Sequence, residues 1–113
     1  MTDAFVPERG DFIRLVLNPL TGREQGGERP AITLSTHAFN ARTGYALIAP
    51  ITRTIRGWPF EVVIAAGLRV EGAILCDQVR SVDYNARHAR FLGKAPAALV
   101  DDVLQRVVAI LES

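Results

Sequence analysis

Short apolar runs separated by turn residues leave this chain few folds to choose from. Residues 12–17 (FIRLVL), 31–34, 45–51, 60–64 and 73–76 are rich in Val, Ile, Leu and aromatics, side chains that suit a pleated, partly buried strand. Each run is bounded by turn-forming residues: Asn18-Pro19, Gly26-Gly27, Thr43-Gly44, Gly57-Trp58-Pro59 and Glu71-Gly72. None is long enough for a stable helix of its own. Residues 79–83 and 90–92 can add two further strands. So many short strands at this spacing predict a mainly β fold, a small antiparallel barrel or sandwich.

The C-terminus has a different period. Leu99, Val100, Val103, Leu104, Val107, Val108 and Leu111 recur at three- and four-residue steps, while Asp101, Asp102, Gln105 and Arg106 fill the opposite face. This pattern predicts an amphipathic α-helix. Pro96 suits its first turn, where a missing N–H would have lacked an intrahelical partner anyway. A shorter helical turn is predicted over residues 37–42, although Asn40 and Thr43-Gly44 oppose it. A chain of 113 residues, 49% hydrophobic, is large enough for one core. The prediction is therefore one domain over residues 1–113, a compact barrel with the terminal helix packed on it.

No apolar run approaches the roughly 20 residues of a membrane helix, and the opening MTDAFVPERGDF lacks the basic and apolar regions of a secretory signal. A cytoplasmic protein without a membrane partner is expected. Cys76 is the only cysteine and cannot form an internal disulfide; with only His37 and His88 besides, no metal site and no cofactor is predicted. The histidines read as surface or loop residues, and Cys76, inside the apolar GAILC run, as a buried thiol.

Net charge is only +1, which excludes nothing, but its distribution is uneven. Residues 29–60 hold Arg29, Arg42, Arg53 and Arg56 and no acid, whereas residues 3–28 hold five acids against three arginines. Twelve of the thirteen basic residues are arginine, the side chain suited to bidentate phosphate contact and to stacking on bases. Codon bias in a GC-rich genome would give the same excess.

The longest polar connection, residues 18–28 (NPLTGREQGGE), leads into Arg29-Pro30 and the second strand. A loop of that length in so small a domain is usually functional or disordered. Gly26 and Gly27 allow a sharp turn or a close backbone approach, and Pro30 biases Arg29 towards an extended conformation at a strand entrance. Glu24 and Arg29 flank the turn. Such a pair can act as base and phosphate clamp, or it can be an ion pair that stiffens the loop.

The order of motifs along the chain resembles one family. Gly10-Asp11, Asn18-Pro19, Gly22, Glu24-Gln25-Gly26-Gly27, Arg29-Pro30 and Leu34-Ser35 look like the N-terminal signature of MazF/PemK toxins. Asn40, Thr43-Gly44, the run Ala49-Pro50-Ile51-Thr52, the strand Pro59-Phe60-Glu61-Val62 and Asp77-Gln78-Val79-Arg80-Ser81 continue it, and the likeness weakens after about Asp83. The G-x-E-Q-x-G-x-R-P loop followed about twenty residues later by P-x-T is far more specific than either part alone. The resemblance implies an SH3-like barrel, a homodimer, metal-independent and sequence-specific cleavage of single-stranded RNA, and a cognate MazE-like antitoxin whose acidic tail occupies the RNA groove. It also implies Glu24, Arg29 and Thr52 as catalytic residues.

Cleaving RNA without a metal requires the 2′-hydroxyl to lose a proton, attack the adjacent phosphorus and expel the 5′-oxygen. Glu24 suits the general base, because a carboxylate accepts a proton at neutral pH and a guanidinium does not. Arg29 suits stabilisation of the transition-state charge, and Thr52 can donate a hydrogen bond to a phosphate oxygen. Arg53 and Arg56, in the loop after Thr52, are candidates to grip RNA phosphates, and Gln78 to read base edges; all three can equally be solvated surface residues. Trp58 can stack on a base or cap the barrel. Arg87, His88, Arg90 and Lys94 form a second basic cluster without an evident role.

The rival reading is a CcdB-like gyrase poison, which shares the barrel and cleaves nothing, since fold does not fix function. Such poisons resemble this fold but end in Trp-Gly-Ile, whereas this chain ends Ile110-Leu111-Glu112-Ser113. A plain SH3-like interaction module would give Glu24, Arg29 and Thr52 no reason to occur together.

Overall fold

The computed structural model describes residues 5–17 and 27–113. In chain order the elements are β1 (Asp11–Val16), β2 (Glu28–Thr33), α1 (His37–Thr43), β3 (Tyr45–Thr52), β4 (Glu61–Val63), β5 (Ala73–Leu75), a 3₁₀ turn (Cys76–Gln78), β6 (Arg80–Asp83), β7 (Arg90–Lys94) and α2 (Ala97–Glu112). Every expected strand and both helices form. β2 starts three residues earlier than its apolar run because Glu28, Arg29 and Pro30 pair with Val16, Leu15 and Arg14 of β1. Strand pairing, not hydrophobicity, sets that boundary. β7 likewise reaches Lys94 because Gly93 and Lys94 pair with Phe12 and Asp11.

All pairings are antiparallel, and the hydrogen-bonded path runs β4-β5-β3-β2-β1-β7, with β6 also on β3. The expected SH3-like barrel with a C-terminal helix is the architecture found, but its two ends, β4 and β7, do not pair with each other. β3 organises the sheet. One of its edges takes β2, and the other takes β6 along residues 45–48 and β5 at Ile51 and Thr52. The 3₁₀ turn bridges the gap between β5 and β6.

Because strand side chains alternate, the sheet sorts its apolar residues into two layers. Ile13, Leu15, Ala31, Ala46, Ile48, Val82 and Tyr84 form one buried cluster. Phe12, Ile32, Ala49, Ile51, Val62 and Ile74 form the other, which α2 covers with Val100 and Val103. Leu99, Leu104, Val107 and Ile110 pack against the same cluster. The expected apolar stripe is thus corrected at its end: Leu111 is 78% exposed and Val108 47%, while Ile110, three residues beyond Val107, takes the inward place. Pro96 is also corrected. Its ψ of 145° is extended, so it stands before the helix as its cap and Ala97 is the first helical residue.

α1 forms despite its polar content because both ends are satisfied. The Thr36 side chain accepts from the Phe39 N–H, and Gly44, at φ 79°, closes the C-terminus by donating to the Asn40 carbonyl. Asn40 is fully buried, and its side-chain oxygen and both amide hydrogens are hydrogen-bonded. It accepts from the Ser35 hydroxyl at 2.5 Å and donates to the Pro7 carbonyl at 2.8 Å and the Ser35 carbonyl at 3.3 Å, while its own carbonyl accepts from the Tyr84 hydroxyl at 2.6 Å. This network ties the N-terminal segment, α1 and the end of β6 together.

The second basic cluster has structural partners. Arg87 donates to the Val16 and Leu17 carbonyls at 2.9 Å each, Arg90 pairs with Glu28 at 3.1 Å, and Lys94 bonds the buried Asp11 at 2.9 Å and Glu8 at 3.1 Å. His88 carries a positive φ of 57° in the tight turn before β7, and His37 and His88 are exposed as expected.

Two expectations follow from these contacts. Gly72 has φ +121°, and a Cβ there would lie 2.1 Å from the Thr52 carbonyl oxygen. Gly72→Ala should therefore lose about 2 kcal/mol or more of stability, read as the denaturation midpoint at unchanged slope; a loss under about 0.5 kcal/mol would contradict the close approach. Burial pushes the Cys76 thiol from 9.0 to about 11, against the Arg106 charge and with a further push from Asp102 and Asp77. The folded state holds that proton more tightly, so the contribution is intact below pH 9 and is lost as pH rises towards 11. Cys76→Ala should flatten the decline of stability across that window; parallel curves for the two proteins would refute the assignment.

Candidate functional site

A cleft of about 840 Å³ opens where β2 and β3 part company, and Pro30, Pro50, Ile51 and Thr52 line it. Its position has a cause in the backbone. β2–β3 pairing ends at Ala31↔Pro50; the next residue of β2 is Pro30, which has no N–H to donate to β3. The ladder stops and the strand ends are free to separate. Carrying the register two residues further sets Arg29 abreast of Thr52, and both line the cleft.

Of the residues expected to carry function, Arg29, Thr52, Arg53 and Gln78 are brought together on this wall. Arg29 is exposed, and among the described residues its guanidinium makes only a 3.5 Å contact with the neighbouring Glu28 carbonyl. The Thr52 hydroxyl oxygen accepts from the Thr54 N–H at 3.1 Å. That bond occupies a lone pair and turns nothing away from the hydrogen, which has no acceptor among the described residues and is available to a ligand oxygen. Gly72 brings its backbone against Thr52 and Arg53 from β5's side, so the strand end that presents them is backed by main chain. Gln78 ends the 3₁₀ turn rather than a strand, because the chain leaves β5 before it and re-enters pairing only at Arg80. Its amide is exposed and unpartnered among the described residues.

Glu24 lies outside the described residues. Arg56 does not line the cleft; its guanidinium carbon sits 5.3 Å from the centre of the Trp58 ring.

Sequence reasoning missed three contributors. Arg14, Arg69 and Arg80 join Arg29 and Arg53 in the lining, against only Glu28 and Glu71 among the described residues, and Glu28 is engaged by Arg90. Arg14, Arg53, Arg69 and Arg80 have no hydrogen-bond or ion-pair partner among the described residues. Arginines left without carboxylates in a concave wall make an anion site, since each fork offers bidentate donors and the cavity concentrates their field. The stem of Arg69 crosses β7 at Gly93, where an added Cβ would approach its Cγ to 3.1 Å. Only the tertiary fold puts Arg14 on β1, Arg69 before β5 and Arg80 on β6 around one opening, and no spacing in the sequence signals it.

Among the described residues no three His, Cys, Asp or Glu side chains gather as a metal set would, and no helix is long and apolar enough to cross a membrane.

Comparison with known proteins points the same way. The family described as PemK-like, MazF-like toxin of type II toxin-antitoxin system matches residues 8–111. The endoribonuclease toxin MazF of Escherichia coli K12 is 43% identical over 89 residues, 79% of each chain. The endoribonuclease toxin ChpB of the same organism is 38% identical over 111 residues, covering 93% of this chain and 94% of that one. Among solved structures, MazF of Deinococcus radiodurans superposes with a TM-score of 0.87 at 39% identity, over 97% of this chain and all of that one. A MazE–MazF crystal structure from the same organism gives 0.87 at 36%, covering 96% and 98%. A conserved fold over nearly the full length, with identity well above what fold alone would require, establishes the relationship: this chain belongs to the PemK-like, MazF-like toxins of type II toxin–antitoxin systems.

Proposed function

We propose that this toxin is a cytoplasmic, ribosome-independent endoribonuclease that cuts single-stranded RNA at a specific short sequence, with Glu24, Arg29 and Thr52 at the reacting phosphate. The observation that carries the reading is the cleft itself, which holds Arg29 and Thr52 together with four further arginines. A cleft of this charge suits a phosphodiester backbone. Its relatives named endoribonucleases support this reading over a gyrase poison.

The chemistry needs no cofactor. Glu24 takes the proton of the 2′-hydroxyl, the 2′-oxygen bonds to phosphorus, and the bond to the 5′-oxygen breaks, that oxygen taking a proton from water as it leaves. Arg29 offers a planar fork to the two non-bridging oxygens as negative charge builds on them. Thr52, its lone pair fixed by the Thr54 N–H, directs its hydroxyl hydrogen to one of those oxygens. Arg53 and the newly recognised Arg14, Arg69 and Arg80 bind flanking phosphates, Arg56 serves the strand beyond the cleft, and Gln78 reads a base edge. The partners of this reading are a second copy of the chain and a MazE-like antitoxin whose acidic tail competes with RNA for the same arginines; a MazE–MazF assembly is known in the Deinococcus relative.

Cleavage should proceed in EDTA and leave a 2′,3′-cyclic phosphate and a 5′-hydroxyl. A single 2′-deoxyribose upstream of the cut should abolish it with binding retained, and Arg29→Lys should lose about 10²-fold in kcat or more, since an ammonium cannot reproduce the fork. Products bearing a 5′-phosphate, or a deoxy substrate still cut, would make water the nucleophile and overturn these roles. Light scattering at micromolar concentration should give twice the 12.3 kDa chain mass; a fully active monomer would remove the dimer.

A further inference from the structure

Residues 53–60 run from the cleft rim at Arg53 to β4, and every one of them is exposed. Trp58, the only tryptophan of the chain, is 53% exposed. An indole left in water costs hydrophobic free energy, and a slack loop would fold it against the nearest apolar surface. This loop is not slack. The carboxylate of Glu61, itself only 7% exposed, accepts from the Arg56 and Gly57 N–H groups at 3.0 Å each. The Glu61 N–H donates to the Trp58 carbonyl at 3.0 Å. On the far side Arg106, anchored to Asp102 at 2.8 Å, donates to the Pro59 carbonyl. The backbone is thus held before and after Trp58 by groups from β4 and α2, and the ring stands out from a fixed frame.

The Arg56 guanidinium lies over that ring, 5.3 Å from its centre. A cation layered on an indole is a planar, positively charged platform of about the size of a nucleobase, and stacking of this kind tolerates any base because each has a π-face. The loop belongs to the acid-free stretch of residues 29–60 and begins at an arginine of the cleft, so a polyanion leaving the cleft along Arg53 meets this platform next.

We propose that Trp58, backed by Arg56 and held by the Glu61 and Arg106 anchors, is a base-stacking residue that binds a nucleotide of the substrate strand outside the cleft. This rests on the ribonuclease reading and extends the bound length of RNA beyond the reacting phosphate. Glu61 and Arg106 are positioning residues; Trp58 alone touches the base.

The sole indole is its own reporter. A single-stranded oligodeoxyribonucleotide of the mapped cleavage sequence, which lacks the nucleophile, should quench the intrinsic fluorescence saturably. Trp58→Ala should raise KM for the RNA about tenfold, the size of one base–aromatic stack, with kcat changed less than about twofold. Trp58→Phe, which keeps an aromatic face, should recover most of the loss; a KM as high as that of Trp58→Ala would overturn the stacking role. If wild-type protein cuts RNA, yet the oligonucleotide leaves the fluorescence unchanged and Trp58→Ala leaves KM unchanged, the stacking role is wrong and the ribonuclease reading stands. If a synthetic acidic peptide quenches the indole and the oligonucleotide does not, or if Trp58→Ala changes the mass by light scattering, the surface belongs to a protein and the proposal is likewise overturned. If wild-type protein cuts no RNA in EDTA, it is the ribonuclease reading that fails, and absence of quenching by the oligonucleotide would remove the stacking role as well.

Discussion

β3 is paired along both edges, and nearly everything else in the molecule is placed by that. Its first half holds β6 and its second half β5, while β2 lies along the middle of the opposite edge. A strand shared in this way belongs to two sub-sheets at once and must turn the sheet as it passes between them, which is how seven short strands enclose a core instead of stacking flat. The break on the β5–β6 side is taken up by a single 3₁₀ turn, and the close contact at Gly72 presses β5 against the end of β3. Thr52 and Arg53, at that end, inherit their position from the pairing.

The same strand also determines where the sheet opens. Pro50 on β3 and Pro30 on β2 come adjacent in register at the point where pairing ceases. Pro30, which has no N–H to donate to β3, ends the ladder, and the cleft begins there. The cleft in this molecule is therefore sited at an interruption of main-chain hydrogen bonding between two strand ends.

Charge is divided between two uses. Arg87, Arg90, Arg106 and Lys94 are committed to carbonyls or carboxylates and tie β1, β2, β7, α2 and the β3–β4 loop to one another. Of the cleft arginines, Arg14, Arg53, Arg69 and Arg80 lack such partners among the described residues, and Arg29 has only the 3.5 Å contact with the Glu28 carbonyl there. With nearly balanced total charge, +1, the electrostatic character of the surface comes from which cations are neutralised at home, and that partition depends on contacts between elements far apart in sequence. Lys94 and Asp11, for example, are brought to 2.9 Å by the β1–β7 pairing.

The seven strands and both helices were legible in the sequence because their information is local: apolar runs of strand length, turn residues between them, and a 3.6-residue period at the C-terminus each need only a dozen neighbouring residues to be read. Family motifs likewise pointed to Arg29 and Thr52, and side-chain chemistry to Arg53 and Gln78, and these four do share a wall. What local pattern did not carry was anything set by pairing across the sheet. The early start of β2, the inward turn of Ile110 in place of Leu111, the diversion of Arg56 to Trp58 and the recruitment of Arg14, Arg69 and Arg80 were all decided by tertiary structure. The sequence by itself determined which segments would be strands and which chemistry they could bear, since propensity and side-chain type are properties of residues. Which arginines remain unpaired among the described residues was decided only by the fold, since neutralising a charge takes a partner, and the partners of Arg87, Arg90 and Lys94 are 62 to 86 residues away.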